Sequence, residues 1–411
     1  MNTSTKQLMK LAFGNIIEWY DAFLYLSFMP FLIQAFLPNL AIGESVIALL
    51  LGLAAGNVVR PIGAIIFGLI GDIYGRKLSY NISILMMAIS TSLMGLLPAY
   101  ATIGVAAPII LVILRLLQGL SMGGQFGTLI SMNESLGDEI KYKGFSLGIC
   151  MSISLLGHSM ALIAAGVVSK VSDTSLIWRL PFLLSLILFL VHIVLNKKNG
   201  LFISEEKKMV CLKTLGKDFS ANFGRLLTYG TLSFCAASTF SMVAFLCIPY
   251  MIYVFHYSKA ISYSYSQIFL WCVIFSAPFF GLLNDKINNK ILVVSVSLIM
   301  LMIGLVSLGL NIQTFFIYAS LMVVMSFVAG ALKGILLPIL GRGFKGSVSC
   351  LSTNVSYTLG LGIASFMPAL LVWLSHKTTL GLPLFIIIIA SLLLFASLKF
   401  KSFGDDTMVK S

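Results

Sequence analysis

Twelve long apolar runs dominate the chain. They cover about 12–37, 45–71, 78–98, 106–133, 145–168, 180–195, 226–255, 264–283, 291–310, 313–340, 347–373 and 381–399. Crossing about 30 Å of hydrocarbon takes roughly 20 apolar residues as a helix. In lipid, backbone N–H and C=O groups must be satisfied internally, so only helices or closed barrels cross, and runs this long exclude strands. The sequence therefore predicts an all-α membrane protein with twelve transmembrane helices.

Charge sets the orientation. With the amino terminus placed inside, inner loops and tails carry 20 Lys and Arg, outer loops carry four, and Arg60, Arg115 and Lys333 fall within spans. This asymmetry is the positive-inside pattern and predicts that both termini are cytoplasmic. The formal net charge of +13 then reflects orientation and anionic headgroups, and implies no nucleic-acid partner. The start, with Lys6 and Lys10, leads into a helix holding Glu18 and Asp21 without a small-residue cleavage site, so no removable signal peptide is expected. Six cysteines, most of them within apolar runs, carry no metal-ligand spacing and read as small buried hydrophobes.

A short cassette occurs twice. Residues 68–77 read Gly-Leu-Ile-Gly-Asp-Ile-Tyr-Gly-Arg-Lys, and residues 281–290 read Gly-Leu-Leu-Asn-Asp-Lys-Ile-Asn-Asn-Lys. Each places Gly four before Asp and Lys five after it. Asp72 and Asp285 stand 213 residues apart, about half the chain. One loop signature at the same place in both halves implies an internal duplication, which in an apolar chain points to a transporter. The expected organisation is a six-helix half over 1–195, a basic cytoplasmic linker over 196–225 and a second six-helix half over 226–411.

These motifs resemble the major facilitator superfamily. The cassette at 68–77 is similar to its loop between helices 2 and 3, and Arg115-Leu-Leu-Gln118-Gly119 to its helix 4 motif. Gly14-Asn15-Ile-Ile-Glu18-Trp19-Tyr20-Asp21, Arg60-Pro61-Ile-Gly63 and Trp178-Arg179-Leu-Pro181-Phe182 narrow the resemblance to the metabolite:proton symporters, which include proline/betaine, dicarboxylate, citrate and shikimate carriers. It is dense over 14–182 and thinner later, at Pro338, Arg342, Asn354 and Pro368. Three departures stand out: Ile73 replaces a basic residue, Asn288 and Asn289 replace Gly and Arg, and Gln125 replaces an acid.

Charges inside a bilayer are costly, so each needs a reason. Glu18, Asp21 and Tyr25 are three and four residues apart on one face of helix 1. Asp21 falls about 15 Å from the inner end by helical rise. A carboxyl group in low dielectric can exchange protons near neutral pH; Glu18 and Asp21 are thus candidate proton sites, or else members of a structural ion pair. Arg60 lies on a helix 2 stripe with Gly52, Gly56 and Gly63, at the depth of Asp21, which permits a pair between helices 1 and 2. Arg115, Gln118, Met122 and Gln125 share a face of helix 4. The resemblance implies that Arg115 neighbours the helix 1 acid, where its fork would bind a substrate carboxylate. His158 in helix 5 is a relay candidate, or a histidine hydrogen-bonded to a neighbour. Lys333 in helix 10 is a second anion contact, or else snorkels to the inner surface. Asn354 joins the substrate set through the resemblance.

The cassettes belong to gating. Gly68, Asp72, Gly75, Arg76 and Lys77, with Glu134 at the inner end of helix 4, and Asp285 with Lys286 in the second cassette, are expected to hold the inner side closed. No nucleophile–base pair, phosphate loop or metal set marks an enzyme.

The resemblance implies proton-coupled uptake of a small organic solute bearing a carboxylate, a proline/betaine-like osmolyte first and a mono- or dicarboxylate second. It works by alternating access, with the proton gradient as energy source and no cofactor or metal. The setting is a bacterial inner membrane and the expected state a monomer. Two other classes remain: an exchanger or efflux pump, which would suit the missing helix 4 acid, and a non-transporting sensor.

Overall fold

The computed structural model describes residues 3–74, 76–123, 130, 142–171, 176–196, 223–310, 314–343, 349–375, 378 and 380–399. Among these, every regular element is helical: α1 (Thr3–Ser27), α2 (Met29–Phe36), α3 (Ile42–Tyr74), α4 (Arg76–Leu96), α5 (Tyr100–Ile103), α6 (Ala106–Met122), α7 (Lys143–Val168), α8 (Leu180–Asn196), α9 (Phe223–Phe245), α10 (Cys247–Tyr253), α11 (Lys259–Lys286), α12 (Asn289–Leu308), α13 (Phe315–Gly343), α14 (Ser349–Ala364), α15 (Met367–Ser375) and α16 (Gly381–Lys399). Among the described residues, ten spans are long and apolar enough to cross a membrane, and α1 with α2 makes an eleventh, bent by 56°. The twelfth is α6, 17 residues long as described. The protein is an all-α, multi-pass membrane protein.

Three spans are broken where the sequence predicts continuous helices. α1 stops at Ser27, α9 at Phe245 and α14 at Ala364. Pro30, Pro249 and Pro368 follow those ends by three or four residues. A proline lacks the N–H for the helical ladder and crowds the carbonyl four residues back, which is where each helix ends. Pro61, Pro278 and Pro338 are instead carried inside α3, α11 and α13.

Packing follows a two-fold plan. α1 packs on α7 as α9 packs on α14; α3 on α6 as α11 on α13; α4 on α8 as α12 on α16. The seams obey the same rule, since advancing six spans turns α7 against α11 into α14 against α3. Glycines bring α3 and α6 together. A Cβ at Gly119 would strike the Gly56 carbonyl, and one at Gly63 the Leu120 carbonyl. This is the small-residue packing that drives helix association in lipid.

Two family-like strings act as braces. Arg179 donates to the carbonyl oxygens of Gly95 (2.7 Å) and Leu97 (2.6 Å) at the end of α4, and lies over the Trp178 ring. The Tyr80 hydroxyl donates to Asn15 Oδ1 at 3.0 Å. Large apolar side chains such as Ile299, Met302 and Val306 are exposed, whereas Glu18, Asp21, Arg115 and Lys333 are buried. That inversion suits a protein whose solvent is lipid.

Candidate substrate site

A small cavity lies where α1, α3, α9, α13 and α14 converge, with Met122 at the end of α6 on its edge. Its water-accessible space is about 40 Å³, room for roughly three waters. Three charged side chains line it: Glu18 from α1, Arg60 from α3 and Lys333 from α13. The first two come from the first six spans and Lys333 from the last six. Trp19 and Phe23, one helical turn apart, stack at 5.3 Å along one wall. Phe240, Phe245 and Tyr357 complete an aromatic lining.

The two cations are poorly served by the protein. Lys333 is 3% exposed, so it does not snorkel. Its Nζ sits 5.1 Å from the Phe240 ring centre and 5.7 Å from that of Tyr357. No oxygen acceptor among the described residues pairs with it. Arg60 Nη2 donates to the Met122 thioether at 3.0 Å, a weak acceptor, and its buried Nε has no partner among the described residues. Arg60 lies within Coulombic reach of both Glu18 and Lys333.

Asp21 occupies a different environment. Its Oδ2 accepts from the Ser185 hydroxyl at 2.6 Å, linking α1 to α8. The Gln118 amide donates to Thr91 at 2.6 Å, and Arg115 Nη1 donates to Gln118 Oε1 at 2.7 Å and to the Ala22 carbonyl at 3.3 Å. Arg115 also lies 5.0 Å over the Tyr25 ring, while the Tyr25 hydroxyl donates to the Leu49 carbonyl at 3.2 Å. All are buried, and none lines the cavity.

The sequence expectation places Glu18, Asp21 and Tyr25 together, and the structure divides them. A step of three residues falls about 60° short of a full turn, enough to aim Glu18 at the cavity and Asp21 at α8. The acid facing Arg60 is therefore Glu18, not Asp21. No ion pair joins Arg115 to Asp21; carbonyl, amide and hydroxyl groups mediate instead.

For His158 it is the hydrogen-bonded alternative that falls. Neither ring nitrogen has a partner among the described residues, so it is not held by a neighbouring Ser or carbonyl. Its ring stacks on Phe23, centre to centre 3.7 Å, just behind the cavity wall. Asn354 is buried in α14 but does not line the cavity. Sequence reasoning missed Phe240 and Tyr357, the rings that hold Lys333. Tyr357 stands one turn from Asn354, which could have flagged it, whereas Phe240 has only Ala236, Ala237, Val243 and Ala244 one turn away and carries no such signal.

The second cassette closes a seam. Asp285 Oδ1 accepts from the Gly144 backbone N–H at 2.8 Å and Oδ2 from that of Phe145 at 2.9 Å, in the first turn of α7. Arg342, at the end of α13, reaches Oδ1 at 3.4 Å. Gly144 and Gly281 meet so closely that a Cβ on either would strike the other's carbonyl. Farther along, the Ser152 hydroxyl donates to the Ile274 carbonyl at 2.6 Å, Gln267 donates to Ser159, and the Tyr263 hydroxyl donates to the Ser27 carbonyl at 2.6 Å. Lys286 is exposed, and Gly68 is buried in α3. Asn288 caps α12, its side chain accepting from the Lys290 N–H at 2.9 Å. Gly75 and Glu134, and the side chains of Asp72, Arg76 and Lys77, lie outside the described residues, as does Gln125.

The sequence profile of the Major Facilitator Superfamily matches residues 11–360. The chain belongs to that superfamily. It is 26% identical over 395 residues to the proline/betaine transporter of Escherichia coli K12, covering 91% of this chain and 78% of the relative. It is 30% identical over 288 residues to the alpha-ketoglutarate permease of the same organism, covering 67% and 65%. Among solved structures, a proton:xylose symporter bound to 6-bromo-6-deoxy-D-glucose superposes with a TM-score of 0.74 at 14% identity, covering 96% of this chain and 94% of the other. The fold is thus that of a major facilitator, and the protein is a membrane transporter resembling proline/betaine transporters.

Proposed function

We propose that the protein is a secondary active symporter of a bacterial inner membrane, moving a small carboxylate-bearing solute inward with protons. The convergence of Arg60 and Lys333, from opposite halves, on one cavity beside Glu18 carries this reading. A carboxylate seated between the two cations would draw the halves together. Glu18, facing Arg60 across the same space, is the coupling acid: its protonation frees Arg60 to engage the solute.

The halves are 1–195 and 226–411, tethered by a cytoplasmic linker over 196–225, and they rock about the site as a single chain, exposing it to each side in turn. Both termini are cytoplasmic, which places Asp285, Gly144 and Arg342 at the inner gate. The relatives divide over the solute, since proline and betaine are zwitterions and alpha-ketoglutarate is a dianion.

Uptake into proteoliposomes tests the reading. Accumulation of a carboxylate should require an inward proton gradient and should be lost in Lys333→Met and Arg60→Met. Uptake that ignores the gradient would remove the proton, and uptake that ignores both substitutions would remove the site.

A further inference from the structure

We propose that the cavity selects an organic carboxylate anion carrying no cationic group, held between Arg60 and Lys333, over a zwitterion of the same shape. This rests on the carboxylate reading above and names the class of solute within it.

The charge of the wall comes first. Among the described residues lining the cavity, two are cations and one is an acid. The acid, Glu18, already faces Arg60. Lys333 faces two aromatic rings and Arg60, a like charge. A buried ammonium without an oxygen acceptor, beside a second cation, is an arrangement that an incoming anion relieves. The carboxylate of a zwitterion could take the same place, but its ammonium would enter the field of the two cations.

Ring faces attract quaternary nitrogen, which makes the aromatic lining a candidate seat for such an ammonium. Here that role is filled from within. Lys333 Nζ covers the faces of Phe240 and Tyr357, Trp19 and Phe23 are stacked on each other, and Phe23 also stacks on His158. Lys333 is in effect a tethered occupant of the cage. A trimethylammonium group would have to displace it, and Glu18, the acid among the described lining residues, already faces Arg60.

Carbon isosteres isolate the ammonium. Cyclopentanecarboxylate is proline with CH2 in place of NH2+, and 3,3-dimethylbutanoate is glycine betaine with carbon in place of the quaternary nitrogen. Calorimetric titration of the purified full chain should find each isostere bound at least tenfold tighter than its zwitterion. Lys333→Met, which removes the charge and keeps an unbranched chain one atom shorter, should weaken the isosteres at least tenfold and close or invert the gap. Zwitterions that bind as tightly as their isosteres to the unmodified protein would overturn the inference and leave the carboxylate reading standing, a comparison that needs no variant to fold. Isostere affinity unchanged in a folded Lys333→Met would also overturn it. If neither member of either pair binds, the carboxylate reading falls and the inference with it.

Discussion

Asp285→Asn should open the α7–α11 seam at the end where the second cassette lies. The carboxylate uses both oxygens, one on the Gly144 N–H at 2.8 Å and one on the Phe145 N–H at 2.9 Å. Asparagine keeps one acceptor and turns an NH2 group toward the remaining donor. One hydrogen bond to a charged acceptor is lost, about 1.5–3 kcal/mol. The favourable placement of negative charge at a helix amino terminus, about 0.3–1 kcal/mol at an exposed site, goes with it. The Arg342 contact is 3.4 Å long and its arginine 29% exposed, so it adds little. The hydrogen bond and the helix-terminus charge together, about 2–4 kcal/mol, shift an open–closed equilibrium roughly 30- to 700-fold. Spin labels at Tyr142 and Ile287, both exposed, in a chain with its native cysteines replaced, would read the separation across the seam. The variant should gain a long-distance population absent or minor in the parent. Identical distance distributions in Asp285→Asn and the parent would refute the latch. A lowered melting temperature without opening would make the carboxylate a structural cap only.

Other substitutions separate the site from its supports. Glu18→Gln should leave solute binding but abolish accumulation driven by a pH gradient, measured as the ratio of counterflow to gradient-driven uptake. Arg115→Ala should destabilise by about 1–3 kcal/mol, because Gln118 Oε1 loses its donor, and thermal unfolding would show it; lost solute affinity at unchanged stability would instead place Arg115 on the solute. Gly119→Leu should prevent folding, since the new side chain would start against the Gly56 backbone, and a monodisperse variant would contradict the α3–α6 packing. His158→Phe should be neutral or stabilising in a melting assay, as it removes two unpartnered ring nitrogens while keeping the stack on Phe23; loss of gradient-driven uptake in that variant would identify His158 as a proton relay.

Much of the fold is legible in the sequence because hydrocarbon imposes it. Length and apolarity locate most spans within a few residues; the run at 45–71 becomes Ile42–Tyr74 and that at 291–310 becomes Asn289–Leu308, whereas the first, expected from about 12, belongs to a helix that begins at Thr3. The breaks at Ser27, Phe245 and Ala364 are harder to read, because Pro30, Pro249 and Pro368 break their spans while Pro61, Pro278 and Pro338 do not. At Pro278 the freed Ile274 carbonyl accepts from the Ser152 hydroxyl of α7, a support that is tertiary and invisible in the sequence. The site is half legible. Glu18, Arg60 and Lys333 are costly in lipid and announce themselves, but so do Asp21 and Arg115, which serve a network bracing α1, α4, α6 and α8. Rotation about a helix axis decides between those roles, and spacing fixes it only to about one side chain's width.

Cavity and joints adjoin in a way that bears on the proposed rocking. Phe245, the last residue of α9, and Ser365, just past the end of α14, both line the cavity beside the breaks of their spans. Phe23 lies one turn before the break of α1 and touches Phe240 and Phe245 edge-on or tilted across the cavity. An occupant of this space therefore presses on the residues at which three spans can bend. Elsewhere the helices are locked: α3 to α6 and α11 to α13 pack through glycines with backbone against backbone. The α7–α11 seam is as tight where Gly144 meets Gly281 and Gly148 meets Pro278, so the breaks in the spans are the places left for bending. With only 40 Å³ of free space, a solute larger than a few waters must displace part of the lining, and that lining includes Phe23, Phe245 and Ser365 beside the breaks, so binding can be passed to the joints.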